Sequence, residues 1–150
     1  LRPQLLDRFG LSVDVRSPND VAERVEVIKR RDAFENDHDA FMVTYIAQDM
    51  AVREKILRGR AQLPDVTTPD SILTDCAELC IALGSDGLRG ELTLLRTARA
   101  LAAFHGDLTL TRAHLITVSP AALSHRLRRD PLDEAGSGTR VARAVAEIFG

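Results

Sequence analysis

The sequence predicts a mainly α-helical fold, and three observations carry that prediction. Aromatic residues make up only 4% of the 150 positions and tryptophan is absent, which leaves the core to Leu, Ala, Val and Ile. Apolar residues recur at helical spacing along most of the chain, and Ile72, Cys76, Leu79, Cys80 and Leu83 form one unbroken helical stripe. A single stretch, Leu11-Ser12-Val13-Asp14-Val15, alternates apolar and polar at the strand period, and nothing later in the sequence offers it a partner. The apolar fraction of 45% is that of a globular domain. The formal charge of −2 gives no general attraction for nucleic acid or an anionic membrane surface. No apolar run approaches the roughly 20 residues of a membrane span, and without a secretory signal a cytosolic, reducing compartment is the expectation.

In chain order, Leu1 to Phe9 reads as a short helical turn ended by Gly10. The lone strand at Leu11–Val15 follows, expected to complete a sheet whose other strands precede Leu1. Ser17 as cap, Pro18 at the first helical position and Asp20 near the positive dipole end predict a helix through Val21, Val25 and Ile28. The polar run Glu35–Ala40 is a candidate break. Phe41, Met42, Tyr45 and Ile46 then form an apolar patch, and Met50–Leu63 reads as a further helix stopped by Pro64. Thr68 and Pro69 predict the start of the helix that carries the Ile72–Leu83 stripe. Gly84, Gly87 and Gly90 make the next turn, in which Ser85 or Asp86 is expected to cap a helix lined by Leu88, Leu92, Leu95, Ala98 and Ala102. Gly106 ends that helix. Thr109 or Thr111 starts another, with Leu115, Val118 and Leu127 inward, a bend at Pro120 and closure at Asp130-Pro131. Ala135–Gly138 reads as a loop before a last helix from Val141 to Phe149.

The glycine turn, with Arg89 in the first turn of the following helix, fits either a phosphate site or an ordinary turn between packed helices. It contains no lysine, so it is not a P-loop. Cys76 and Cys80 lie on the apolar stripe and are read as core. His105, His114 and His125 show no metal-ligand spacing, and no serine or cysteine sits in a nucleophile motif. The cluster His125-Arg126-Leu127-Arg128-Arg129 reads as a solvated helix end or a subunit contact.

Three segments, LRPQLLDRFG at 1–10, GSDGLRGELTLLR at 84–96 and HRLRRDPLDE at 125–134, together resemble the ATPase (I) subunit family of magnesium chelatase. That AAA+ family serves chlorophyll and bacteriochlorophyll synthesis. The resemblance implies that Arg8 is the arginine finger, reaching ATP bound to the neighbouring subunit in trans, with Asp7 supporting the same interface. It implies that Arg89 is the sensor-2 residue, reading the nucleotide of its own subunit in cis. Residues 1–16 would then be the end of the ATPase core, with Leu11–Val15 its last strand. Residues 17–64 would be a helical linker, and 65–150 the C-terminal helical lid. Walker A and Walker B would precede Leu1, so the 150 residues alone are expected to be inactive. The implied cofactors are ATP and Mg²⁺, bound mainly by that core. The implied partners are further copies in a hexameric ring and the D and H subunits, with no membrane and no nucleic acid. The implied reaction is Mg²⁺ insertion into protoporphyrin IX, forming nitrogen–metal bonds, in the cytoplasm or, for a plant or alga, the plastid stroma. A MoxR-like remodelling ATPase is the alternative within AAA+ proteins. A helical adaptor or nucleic-acid-binding module using Arg126, Arg128 and Arg129 is the alternative from another class.

Overall fold

The computed structural model describes residues 8–85, 87–127 and 136–150. Among these, the elements are α1 (Val21–Asn36), α2 (His38–Gln62), a 3₁₀ turn (Leu63–Asp65), α3 (Asp70–Ala82), α4 (Arg89–His105), α5 (Arg112–Leu123) and α6 (Ser137–Phe149). The chain divides into two compact units. One is Asp14–Leu57; the other comprises, among the described residues, 8–13 and Arg58–Gly150.

In the first unit, α1 is capped three residues later than Ser17. Asp20, with extended backbone, accepts the N–H of Glu23 at 2.9 Å, the bond of an N-cap carboxylate. Asp37 makes the break expected in the polar run. Its N–H bonds Ala33 O at 3.1 Å to close α1, and its carboxylate accepts the Ala40 N–H at 2.9 Å to open α2. Phe34 meets Phe41 edge to face across this corner and Phe41 meets Tyr45 at a tilt, with ring centroids 5.5 and 4.8 Å apart respectively. The patch at Phe41–Ile46 and the segment from Met50 to Gln62 lie on one 25-residue helix rather than two elements, and Leu63 begins the 3₁₀ turn. No proline or glycine lies between Phe41 and Arg58 to interrupt it.

The second unit holds the core. The α3 stripe is inward as expected: Ile72, Cys76, Leu79, Cys80 and Leu83 are all buried. The Cys80 thiol is pushed up by its hydrogen bond with Cys76 and by burial, while the same bond lowers the Cys76 thiol; both side chains are buried in the core. On α4 the expected register is partly wrong. Leu94, Ala98, Ala102 and Ala103 face inward, whereas Leu88 is 73% and Leu92 46% exposed. Leu115, Val118, Ala122, Leu123 and Leu127 come in from α5 and its exit, and Val141 and Ala144 from α6. Small residues let backbones approach: a Cβ on Gly59 of α2 would lie 3.1 Å from Phe104 Cα. Asp75, buried on α3, receives a two-pronged hydrogen bond from Arg112 of α5 at 2.8 and 2.9 Å, and the Arg112 guanidinium lies 5.0 Å from the Phe149 ring centre.

Leu11–Val15 makes no ladder pairing among the described residues; the strands expected to pair with it would precede Leu1. A strand exists only where a neighbour accepts its ladder, and among the described residues the only β pairing is an isolated parallel bridge between Thr67 and Thr109. The Ser12 N–H instead donates to Ala121 O at 2.8 Å. Asp130-Pro131 lies outside the described residues. Ser137 and Gly138, expected in a loop, are the first two residues of α6.

The inward register of α4 predicts that Leu94→Ala costs about 2–5 kcal/mol in urea unfolding, whereas Leu88→Ala stays within about 0.5 kcal/mol. Equal losses at both positions would mean that α4 presents a different face to the core.

Candidate functional site

The turn between α3 and α4 is built on two left-handed glycines, Gly84 at φ 65° and Gly87 at φ 73°. Gly84 closes α3 with a paired C-cap: its N–H bonds Ile81 O and the Ser85 N–H bonds Cys80 O, both at 3.0 Å. Gly90 sits in the first turn of α4, where a Cβ would collide with the Ser85 hydroxyl. This close approach explains the third glycine of the motif. Ser85 therefore packs against α4 rather than capping it. Leu88 occupies the N-cap position and makes no side-chain cap bond; Asp86 lies outside the described residues. Arg89, exposed, is the first residue of α4, where a helix N-terminus favours anions such as phosphate.

Arg8 is exposed at the first described position. Asp7, Arg128 and Arg129 lie outside the described residues. The peptide that follows Arg8 is fixed at the far end of α5. Phe9 O accepts from His125 Nε2 at 2.9 Å and from Arg126 Nη2 at 2.9 Å. The same Arg126 guanidinium donates to Thr93 Oγ1 at 3.3 Å and, through Nε, to Ala122 O at 3.1 Å. Thr93 lies one helical turn beyond Arg89 on α4. One side chain therefore joins the peptide next to Arg8 to the helix that begins at Arg89.

Sequence reasoning missed this role. It singled out His125–Arg129 as a basic cluster but read it as a solvated helix end or a subunit contact, and the partner carbonyl lies 117 positions away in the chain. It also missed a second cluster, His105, Asp107 and His114, whose ligand atoms lie within 4.8 Å of one another. No described helix is long and apolar enough to cross a membrane.

Comparison with known proteins bears on this arrangement. The AAA lid domain family matches residues 73–148. The chain is 68% identical over 149 residues to the magnesium-chelatase 38 kDa subunit of Cereibacter sphaeroides, covering 99% of this chain and 45% of that protein. Identity to the protein of the same name from Rhodobacter capsulatus is 64%, with 99% and 43% covered, and to that from Chlorobaculum tepidum 46%, with 100% and 38% covered. The chain thus spans less than half the length of these relatives. A solved structure from Cytophaga hutchinsonii that carries an ATPase assignment superposes with a TM-score of 0.71 at 16% identity, covering 97% of this chain and 48% of that one. Its likeness shows a shared fold. With the lid match running from α3 to α6, across Arg89 and Arg126, the chain belongs to the AAA lid domain family.

Proposed function

We propose that the chain is the C-terminal, lid-bearing part of an AAA+ motor subunit of magnesium chelatase. In this reading residues 1–16 end the ATPase core, 17–64 link, and 65–150 form the lid. The observation that carries it is the Arg126 clamp, which ties the peptide after Arg8 to the helix that starts with Arg89. Similarity to subunits named for magnesium chelatase supplies the reaction class.

Arg8 is then the arginine finger of a neighbouring subunit's site, and Arg89 the sensor-2 residue of its own. Asp7 supports the Arg8 interface. ATP with Mg²⁺ supplies the free energy when bound, and the P-loop that grips it lies in the part of the protein beyond these 150 residues. Two guanidinium groups suit this work, since phosphoryl transfer is accelerated chiefly by positioning and by stabilising charge on the transferring group. Arg89, at the head of α4, senses phosphate through a rigid helix. Arg8, on a peptide pinned by His125 and Arg126, is displaced whenever the lid is displaced. The two arginines make turnover depend on assembly of a homo-oligomeric ring, read as a hexamer, and lid movement passes the nucleotide state to partners. The partners are the D and H subunits, and the driven reaction is insertion of Mg²⁺, as substrate, into protoporphyrin IX. The setting is the (bacterio)chlorophyll pathway of the cytoplasm, or of the plastid stroma in a plant or alga.

In the full-length protein, Arg8→Ala and Arg89→Ala are each expected to lower the kcat for ATP about 10³-fold or more. Near-normal turnover in both variants would reduce the arginines to surface charges and remove the assignment. The 150 residues alone are expected to show no ATPase activity.

The clamp makes its own prediction. Arg126→Ala should collapse hydrogen-exchange protection of the Ser12 amide, which relies on the docked peptide. Arg126→Lys should restore it only in part, because an ammonium cannot present the guanidinium's planar fork to Phe9 O and Thr93 together. Unaltered Ser12 protection in Arg126→Ala would show that the segment docks without Arg126.

A further inference from the structure

We infer that His105, Asp107 and His114 form a binding site for a single divalent transition ion, of which Zn²⁺ is the best match, at the corner between α4 and α5. The three residues are brought together by the turn. Gly106, at φ 89°, reverses the chain after α4, with the Gly106 N–H on Ala103 O at 3.1 Å and the Asp107 N–H on Ala102 O at 2.9 Å. Gln62 of α2 holds the same turn through a bond to Gly106 O at 3.0 Å. His105 and Asp107 thus flank a fixed glycine, and His114, in the first turn of α5, faces them.

The ligand atoms lie within 4.8 Å of one another. His114 Nε2 and Asp107 Oδ2 are 3.1 Å apart, close to the edge of about 3.3 Å expected for a tetrahedral ion with bonds near 2.0–2.1 Å. His114 is buried, while His105 and Asp107 are exposed, so one ligand is fixed and two can close on an ion from solvent. Two imidazoles and one carboxylate select a borderline ion such as Zn²⁺ over Mg²⁺, which requires oxygen ligands. A three-residue set leaves the fourth position to water.

Binding has a proton consequence. Without metal, His114 Nδ1 accepts the Thr111 N–H at 3.1 Å, which places the ring proton on Nε2, donating to Asp107. Coordination at Nε2 requires that nitrogen's lone pair, so the proton must reside on Nδ1. There it can donate to Thr111 Oγ1, 2.9 Å away. The ring stays neutral and no net proton is lost from it. The Thr111 N–H gives up its cap acceptor, so the metal is coupled to the start of α5.

The test titrates the chain with Zn²⁺ by calorimetry and with Co²⁺ by visible absorption. The expected result is one ion per chain with the absorption of a tetrahedral Co²⁺ centre, and transfer of the His114 ring proton from Nε2 to Nδ1 in ¹⁵N spectra on adding Zn²⁺. His105→Gln and Asp107→Asn, both at exposed positions outside the core, should each weaken binding at least about tenfold. His38→Gln removes a comparable exposed pair, with His38 Nδ1 3.3 Å from Asp39, and should leave affinity unchanged. Mg²⁺ should not saturate the site. Absence of one-to-one binding, affinity indifferent to His105→Gln and Asp107→Asn, or affinity lost in His38→Gln would each overturn the inference.

Discussion

The Arg126 guanidinium is the interaction on which the placement of the candidate site depends. It donates to a carbonyl of the incoming segment, to a hydroxyl on α4 and to a carbonyl in the last turn of α5. An isolated extended peptide has no reason to lie on a helical bundle, because its backbone groups are satisfied equally well by water. A charged, forked donor changes that balance, and His125 adds a second donor to the same carbonyl. The consequence is mechanical. Through Arg126 the peptide after Arg8 is joined to Thr93 of α4, the helix that begins with Arg89.

Such a linkage transmits force only if the helices it joins are themselves rigid. Here rigidity comes from close backbone approach more than from large side chains. Ala98, Ala102, Ala103 and Ala122 are buried at helix contacts, and Gly59 and Gly90 sit where a methyl group would meet backbone or the Ser85 hydroxyl. Short side chains lose little rotamer freedom on burial, and the close-packed interior they form resists small displacements. The buried Asp75 carboxylate adds a directional constraint, since only a donor in the place of Arg112 leaves it satisfied.

Much of this architecture was legible in the sequence. The α3 stripe, the left-handed Gly84 and Gly106, the break before α2 and a cap at Thr109 or Thr111, of which the structure uses Thr111, followed from periodicity and turn chemistry. The α4 register was legible in part: Ala98 and Ala102 are buried as expected and Leu95 packs against the core, but Leu88 and Leu92 are exposed and Leu94 is buried, a choice among leucines that only packing against α3 and α5 decides. Leu11–Val15 alternates like a strand, but alternation describes side-chain facing and says nothing about whether a ladder partner is at hand. The candidate site was legible only in part. Arg8, Asp7 and Arg89 came from the resemblance to a known family, not from spacing. Arg126 was visible as a charge but not as a clamp, and the His105–Asp107–His114 group has no sequence motif because a turn and a second helix assemble it.

The central claim is that Arg8 and Arg89 serve two different nucleotide sites of a ring, and mixing of full-length subunits tests it most directly. An Arg8→Ala subunit keeps its own Arg89 and lacks only the finger it gives to a neighbour. An Arg89→Ala subunit keeps its finger. Where the two adjoin in the correct order, one complete site forms, so ATP hydrolysis should partly return when the inactive variants are mixed. No recovery in rings shown by mass spectrometry to contain both variants would contradict the account.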